Sequence, residues 1–249
     1  MLDRELAYHE KLYGGFAQAH FARPAVRALR AHLAARILRV TGAATNWNAL
    51  SLGCGIGDTE LLLAPHLSEL VGIDLSPAAI RQAQADAAQA GIGNARFLEG
   101  TLESAPLEAR RFHLVIGIFF LHHLPDAALE ALPGRLRAVM APGGVFYSLD
   151  PNRYRLSGAV GKLLFPGLMR KYQTPDERQL DPQAIGGLFE RGGFRCRVSY
   201  YDFLSSPLAG LLPRWRTGYV AARAADELLI RTPGLRRLGS NFELVAING

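Results

Sequence analysis

LSLGCGIGDTE, residues Leu50–Glu60, runs from apolar residues into three glycines at alternate positions, Gly53, Gly55 and Gly57. Residues without side chains this close together suit a place where a ligand lies against bare backbone. The dinucleotide fingerprint GxGxxG is the first pattern to test. Gly53 and Gly55 fit its first two places, but Asp58 occupies the third. An acid there would oppose a pyrophosphate at a helix N-terminus. Starting the pattern at Gly55 puts Glu60 in the last place. The loop is therefore GxGxG, which admits a close ligand without calling for a diphosphate.

Working outward, Ala49–Leu52 reads as a short buried strand before the glycines and Thr59–Leu67 as a helix after them. Leu70–Ile73 is a second strand ending at Asp74, and Ser76 with Pro77 opens an alanine-rich helix to Ala90. Further strands are expected at Ala95–Leu98, Phe112–Phe120 and Val145–Leu149. A helix at Asp126–Met140 is expected to stop at Pro142-Gly143-Gly144. Upstream, Pro24 opens a helix with Val26, Leu29, Leu33, Ile37 and Val40 at helical spacing. Downstream come a helix at Asp181–Arg191, strands at Phe194–Phe203 and Phe242–Ile247, and between those strands an insertion, Leu204–Gly239. Short doubly apolar strands alternating with helices predict a parallel sheet covered on both faces. In such a sheet Asp74 sits at the ligand edge, where a carboxylate can accept both hydroxyls of a ribose.

Of 249 residues, 49% are hydrophobic and 20% charged, enough for a sizeable core. The first residues include Asp3, Glu5, His9 and Glu10 without an apolar signal core, and no apolar run is long enough to span a bilayer. Cys54 and Cys196 are far apart and lack metal-ligand spacing, so a reduced, cytoplasmic setting and no metal are expected. The net charge is +6, carried mostly by arginine. No aromatic platform or RNA module accompanies it, so a nucleic-acid partner is not expected.

LSLGCGIG (50–57), VGIDLSPAAI (71–80), FHLVIGIFFLHHLPD (112–126) and MAPGGVFYSLDPN (140–152), in this order, resemble the class I S-adenosylmethionine-dependent methyltransferases. The resemblance covers about residues 45–150. It implies an α/β fold with a doubly wound, seven-stranded, mostly parallel sheet whose last strand is antiparallel. It further implies one domain over 1–249: an N-terminal lid (1–45), a cofactor core (46–150) and a C-terminal part (151–249) with caps at about 153–180 and 204–240. The implied cofactor is S-adenosyl-L-methionine. Gly53, Cys54 and Gly55 would underlie its methionine part and Asp74 would hold the ribose. Leu75, Thr101 and Leu102 would meet the adenine, Ile118 would lie beside the sulfonium, and Tyr13 would close from the lid. Two positions depart from the family pattern. Thr101 stands where many members have aspartate. Ser51 stands where an acid usually helps hold the cofactor's amino group.

His122 and His123, just after the fourth strand, are the candidate catalytic bases, with His123 preferred by the resemblance, while His113 lies inside a strand and is read as structural. Asp150 and Asn152 end the fifth strand on the same edge. The apolar, arginine-rich segments 153–171 and 206–239 suit a roof over a hydrophobic acceptor with an anionic or polar head, drawn from a membrane surface. The expected activity is methyl transfer to a small apolar or aromatic metabolite, most naturally onto oxygen, with a lipid- or quinone-like acceptor among the candidates. Two competing readings stay open: a cofactor-binding enzyme with non-methylating chemistry, suggested by Ser51, and a non-catalytic cofactor-binding module.

Overall fold

The computed structural model describes residues 20, 22–107, 111–158 and 179–249. Seven strands form one sheet: β1 (Asn48–Leu52), β2 (Glu69–Asp74), β3 (Ala95–Glu99), β4 (Phe112–Ile118), β5 (Met140–Pro151), β6 (Phe194–Asp202) and β7 (Asn241–Asn248), in the order β3-β2-β1-β4-β5-β7-β6. The pairs among β1 to β5 are parallel, and β7 runs antiparallel to both β5 and β6. This is the mostly parallel sheet with a reversed last strand that the resemblance implied. The strand order turns back between β1 and β4, so their carboxyl ends splay apart there and leave a crevice.

Helices cover both faces because the strands are apolar on both. One face packs α1 (Pro24–Thr41) through Leu29, Leu33 and Ile37 against Ala49, Leu114, Ile116 and Tyr147. The other packs α4 (Asp126–Val139) and α5 (Pro182–Arg191) through Leu132, Leu136, Ile185 and Phe189 against Leu50, Val115 and Phe146. α1 starts on a proline and ends on Gly42 in the left-handed region, the pairing expected of helix ends. α3 (Pro77–Gln89) is capped by Ser76, whose hydroxyl accepts the Ala79 N–H at 3.2 Å.

Three expected boundaries move. The helix expected over Thr59–Leu67 is one four-residue turn, α2 (Glu60–Leu63), followed by a 3-10 turn at Ala64–His66, because Pro65 cannot continue the hydrogen-bond ladder. β4 ends at Ile118 rather than Phe120. Phe119 takes φ 54° and donates its N–H to Leu149 O at 2.7 Å, which folds the chain over the sheet edge into a 3-10 turn at Leu121–His123. Pro142-Gly143-Gly144 does not separate helix from strand. β5 already begins at Met140, and the segment forms a bulge where the register passes from Phe112↔Met140 to Leu114↔Val145.

The insertion forms α6 (Ser205–Leu211), α7 (Arg216–Leu229) and a 3-10 turn at Leu235–Leu238. Asp226 fastens it by accepting the N–H groups of Phe203, Leu204 and Ser205 at 3.0, 2.9 and 2.9 Å. Asn152 fastens its far end by donating to Arg237 O and Gly239 O, both at 2.8 Å.

Candidate active site

The crevice holds a cavity of about 420 Å³ at the ends of β1, β2 and β4. Its floor is the glycine loop. Gly53, Gly55 and Gly57 all have left-handed φ, at 64°, 53° and 73°, a conformation that costs any residue with a Cβ about 1–2 kcal/mol. Space forbids a side chain as well. A Cβ on Gly53 would lie 2.8 Å from the Phe120 ring, and one on Gly57 the same distance from the Phe97 ring. Gly53 is exposed to the cavity while Cys54, Gly55 and Ile56 beside it are buried, so it is peptide backbone that faces the opening.

Asp74 holds this loop to β2. One oxygen accepts the Gly55 N–H at 2.8 Å and the other the Ser76 N–H at 2.9 Å. Its carboxylate lines the cavity, with Leu75 and Leu102 supplying apolar wall beside it. Thr101 also lines the cavity, but its hydroxyl is engaged in a turn, accepting from the N–H groups of Glu103 and Ser104 at 3.2 and 3.3 Å. Ile118 at the end of β4, and Phe119, Phe120 and His123 in the turn after it, also line the cavity.

His122 takes a different place from His123. It is buried, does not line the cavity, and is bound by Asp150, its Nδ1 lying 2.9 Å from Oδ1 and its N–H 3.3 Å from the same oxygen. Asp150 also accepts the Ser148 hydroxyl at 2.6 Å and is fully buried. The two imidazoles touch, with ring centroids 3.9 Å apart. Thus Asp150 and His122 form a fixed pedestal behind His123. Asp150 and Asn152, which the sequence places on the ligand edge, are buried with partners of their own. Tyr13 lies outside the described residues.

The cavity also contains groups that motif spacing does not reveal. Arg30, from α1, pairs with Asp58 at 2.7 Å, and Arg135, from α4, pairs with Glu103. Glu60, from α2, is 3% exposed; Ser51 donates its hydroxyl to Glu60 Oε1 at 2.7 Å, while Oε2 has no partner among the described residues. Burial foremost, then the neighbouring Asp58 carboxylate, raises the Glu60 pKa to about 7. Four acids and two arginines line the cavity, and both arginines are paired. The surplus of negative charge suits a cationic ligand. Cys54 lies beneath the loop as a thiol, its pKa pushed well up by burial, so it is not a nucleophile here.

A methyltransferase-domain family model matches residues 49–144. A trans-aconitate 2-methyltransferase of Methylobacterium radiotolerans is 31% identical over 198 residues, which cover 76% of this chain and 68% of that protein. The chain belongs to the S-adenosylmethionine-dependent methyltransferases. An uncharacterized methyltransferase of Synechocystis sp. is 30% identical over 148 residues, 58% of this chain and 65% of that relative, just under two thirds of its length. Among solved structures, a DhpI complex with S-adenosylhomocysteine superposes with TM-score 0.62 over 100% of this chain and 97% of that one; at 15% identity it attests the fold. The methyltransferase cavity fits the family's cofactor on its own features. It has a backbone cradle that a Cβ would fill, a carboxylate at the end of β2, apolar walls for a base, and a buried orphan carboxylate oxygen beside the loop.

Proposed function

We propose that this methyltransferase methylates an oxygen of a small acceptor that combines an apolar body with an acidic group, a carboxylic acid or a phenol. The observation that carries the reading is the Phe119–His123 turn. It lines the cofactor cavity with two aromatic residues and one imidazole, and the His123 ring touches the His122 that Asp150 holds. The trans-aconitate relative, by its name, acts on a small carboxylic acid.

S-adenosylmethionine would supply a methyl group on a positively charged sulfur. Peptide groups of Gly53, Cys54 and Gly55 would lie under its amino-acid part, Asp74 would take the ribose hydroxyls, and Leu75 and Leu102 would flank the adenine, with Thr101 contributing backbone. Ile118 would pack near the sulfur and help exclude water. The remaining catalytic work is alignment, because displacement needs the acceptor oxygen in line with the departing sulfur. His123 would take the acceptor's proton when the acceptor is a phenol, and would only orient one that is already ionised.

The insertion supports a membrane-facing setting for a protein working in the cytoplasm. No helix among the described residues is long and apolar enough to cross a membrane. Residues 204–240 carry six arginines against two acids, a surplus of four where the whole chain has six. Leu211, Leu212, Trp215, Val220 and Leu228 are exposed on that surface. The insertion packs on α1 and β6, and none of its residues lines the cavity, so its surface is better placed to meet an anionic bilayer than to roof this opening.

The test is S-adenosylhomocysteine release across a panel of carboxylic acids, phenols and quinols, with and without anionic vesicles. Turnover on at least one acidic acceptor, cut at least tenfold by His123→Ala for a phenol, is the expected result. Tight cofactor binding without product on the whole panel would favour non-methylating chemistry or a binding module instead.

A further inference from the structure

A carboxylate that is 97% buried, hydrogen-bonded through one oxygen and bare at the other is expensive unless a cation completes it. Glu60 is in this condition at the wall of the cofactor cavity. The nearby guanidinium of Arg30 does not supply that cation, since its ion pair is made with Asp58. Thr59, adjacent in sequence, also lines the cavity with a buried hydroxyl that has no partner among the described residues. One orphan acceptor beside one orphan hydroxyl, with a guanidinium in the same cavity, matches an α-amino acid end, ammonium and carboxylate together.

We propose that Glu60 binds the ammonium of the cofactor's amino-acid end, and that Ser51 serves as its positioning residue. The inference rests on the methyltransferase reading and deepens it. Position 51 carries no charge, yet its hydroxyl reaches one oxygen of the cavity-lining Glu60 carboxylate and leaves the other without a partner among the described residues. The negative charge thus comes from the turn after the loop instead of from β1. Thr59 and Arg30, which line the same cavity, would be the groups available to the cofactor's carboxylate.

Binding has a protonic consequence. Asp58, Arg30 and Ser51 act on Glu60, Cys54 lies in the preceding glycine loop, Asp74 ends β2, and His123 lines the same cavity. In the empty site Glu60 is about half protonated near neutrality, and an arriving ammonium favours its charged form. Ligand binding at pH 6.5 therefore releases a proton from Glu60.

The experiment compares the parent and Glu60→Gln by titration calorimetry in buffers of different ionisation enthalpy. The two ligands are S-adenosylhomocysteine and 5′-methylthioadenosine, which keeps the nucleoside and sulfur but lacks the amino-acid end. Glutamine keeps an oxygen for the Ser51 hydroxyl, and matching circular dichroism spectra establish that the variant is folded. The expected result is a loss of about tenfold or more in S-adenosylhomocysteine affinity. Methylthioadenosine affinity should stay within about twofold, and proton release at pH 6.5 should disappear in the variant. Equal weakening of both ligands, unchanged S-adenosylhomocysteine affinity, or retained proton release would each overturn the assignment of Glu60 while leaving the cofactor reading intact. A parent that binds neither ligand would remove that reading and this inference with it.

Discussion

Replacing Glu60 with glutamine should change how stability depends on pH, and the structure sets the size of the change. Glu60 has a folded-state pKa of about 7 against an ordinary 4.5. The folded chain therefore holds this proton more tightly than the unfolded chain does. Stability is greatest while both states are protonated, and it falls as pH rises from about 4.5 to 7. Above that, both states are ionised and the loss is constant. Each pH unit in the window is worth about 1.4 kcal/mol, so linkage assigns to Glu60 a loss of about 2–3 kcal/mol between pH 5 and pH 8. His32 works the other way. Burial, then the charge of Arg223, lowers its pKa from 6.5 to about 4, so its contribution falls as pH drops through that interval. The raw profile mixes the two, but the difference between parent and Glu60→Gln cancels His32. Urea unfolding of both proteins at pH 5, 6, 7 and 8 gives that difference directly. The stability of the parent relative to the variant should decline by about 2–3 kcal/mol across the series. Saturating S-adenosylhomocysteine should flatten the decline, because the ammonium then favours the ionised carboxylate. A difference that is flat, or that rises with pH, in the ligand-free proteins would show that Glu60 is not a buried carboxyl short of a partner.

Three other outcomes follow from the same structure. Asp74→Ala removes the acceptor for the Gly55 and Ser76 N–H groups, so it should weaken S-adenosylhomocysteine binding about tenfold or more, measured by calorimetry; parent-like affinity would contradict the placement. Arg36 meets Glu243 through two bonds of 2.6 and 2.5 Å, and Glu243 also accepts the Tyr147 hydroxyl. Arg36→Met leaves that carboxylate buried and unpaired, which should cost about 3–5 kcal/mol in urea unfolding, partly restored by adding Glu243→Gln. Gly57→Ala and Gly91→Ala both place a Cβ at left-handed φ, but only the first also meets the Phe97 ring, with nothing within 4 Å at Gly91. Thermal unfolding should rank Gly57→Ala as the more damaging by about 1–3 kcal/mol.

The legible parts of the fold were those written in local chemistry. Ser76 before Pro77 announces a helix start because serine caps and proline tolerates the first turn, and the structure puts both there. The glycine loop and Asp74 were readable because few arrangements need three glycines after one apolar strand and an acid after the next. The misplaced end of β4 has a different cause. Phe119 and Phe120 look like more strand by composition. They leave the sheet because the Phe120 ring must cover Gly53 and Gly117, whose proximity only the packed sheet creates. His122 and His123 are neighbours of one type with opposite fates, buried on Asp150 or lining the cavity, since the 3-10 turn rotates successive side chains apart.

The sequence by itself determined the alternation of buried strands and helices, the bare backbone at the end of β1, and the carboxylate at the end of β2. These are properties of residues within a few positions of one another. Tertiary structure alone decided which charges stand together in the cavity. Glu60, Asp58, Arg30, Arg135 and Glu103 come from three helices and two loops, and no periodicity links them. Whether a carboxylate is solvated, paired or left bare depends on what folding brings within a few ångströms. That distance depends on the packing of α1 and α4 against opposite faces of the sheet.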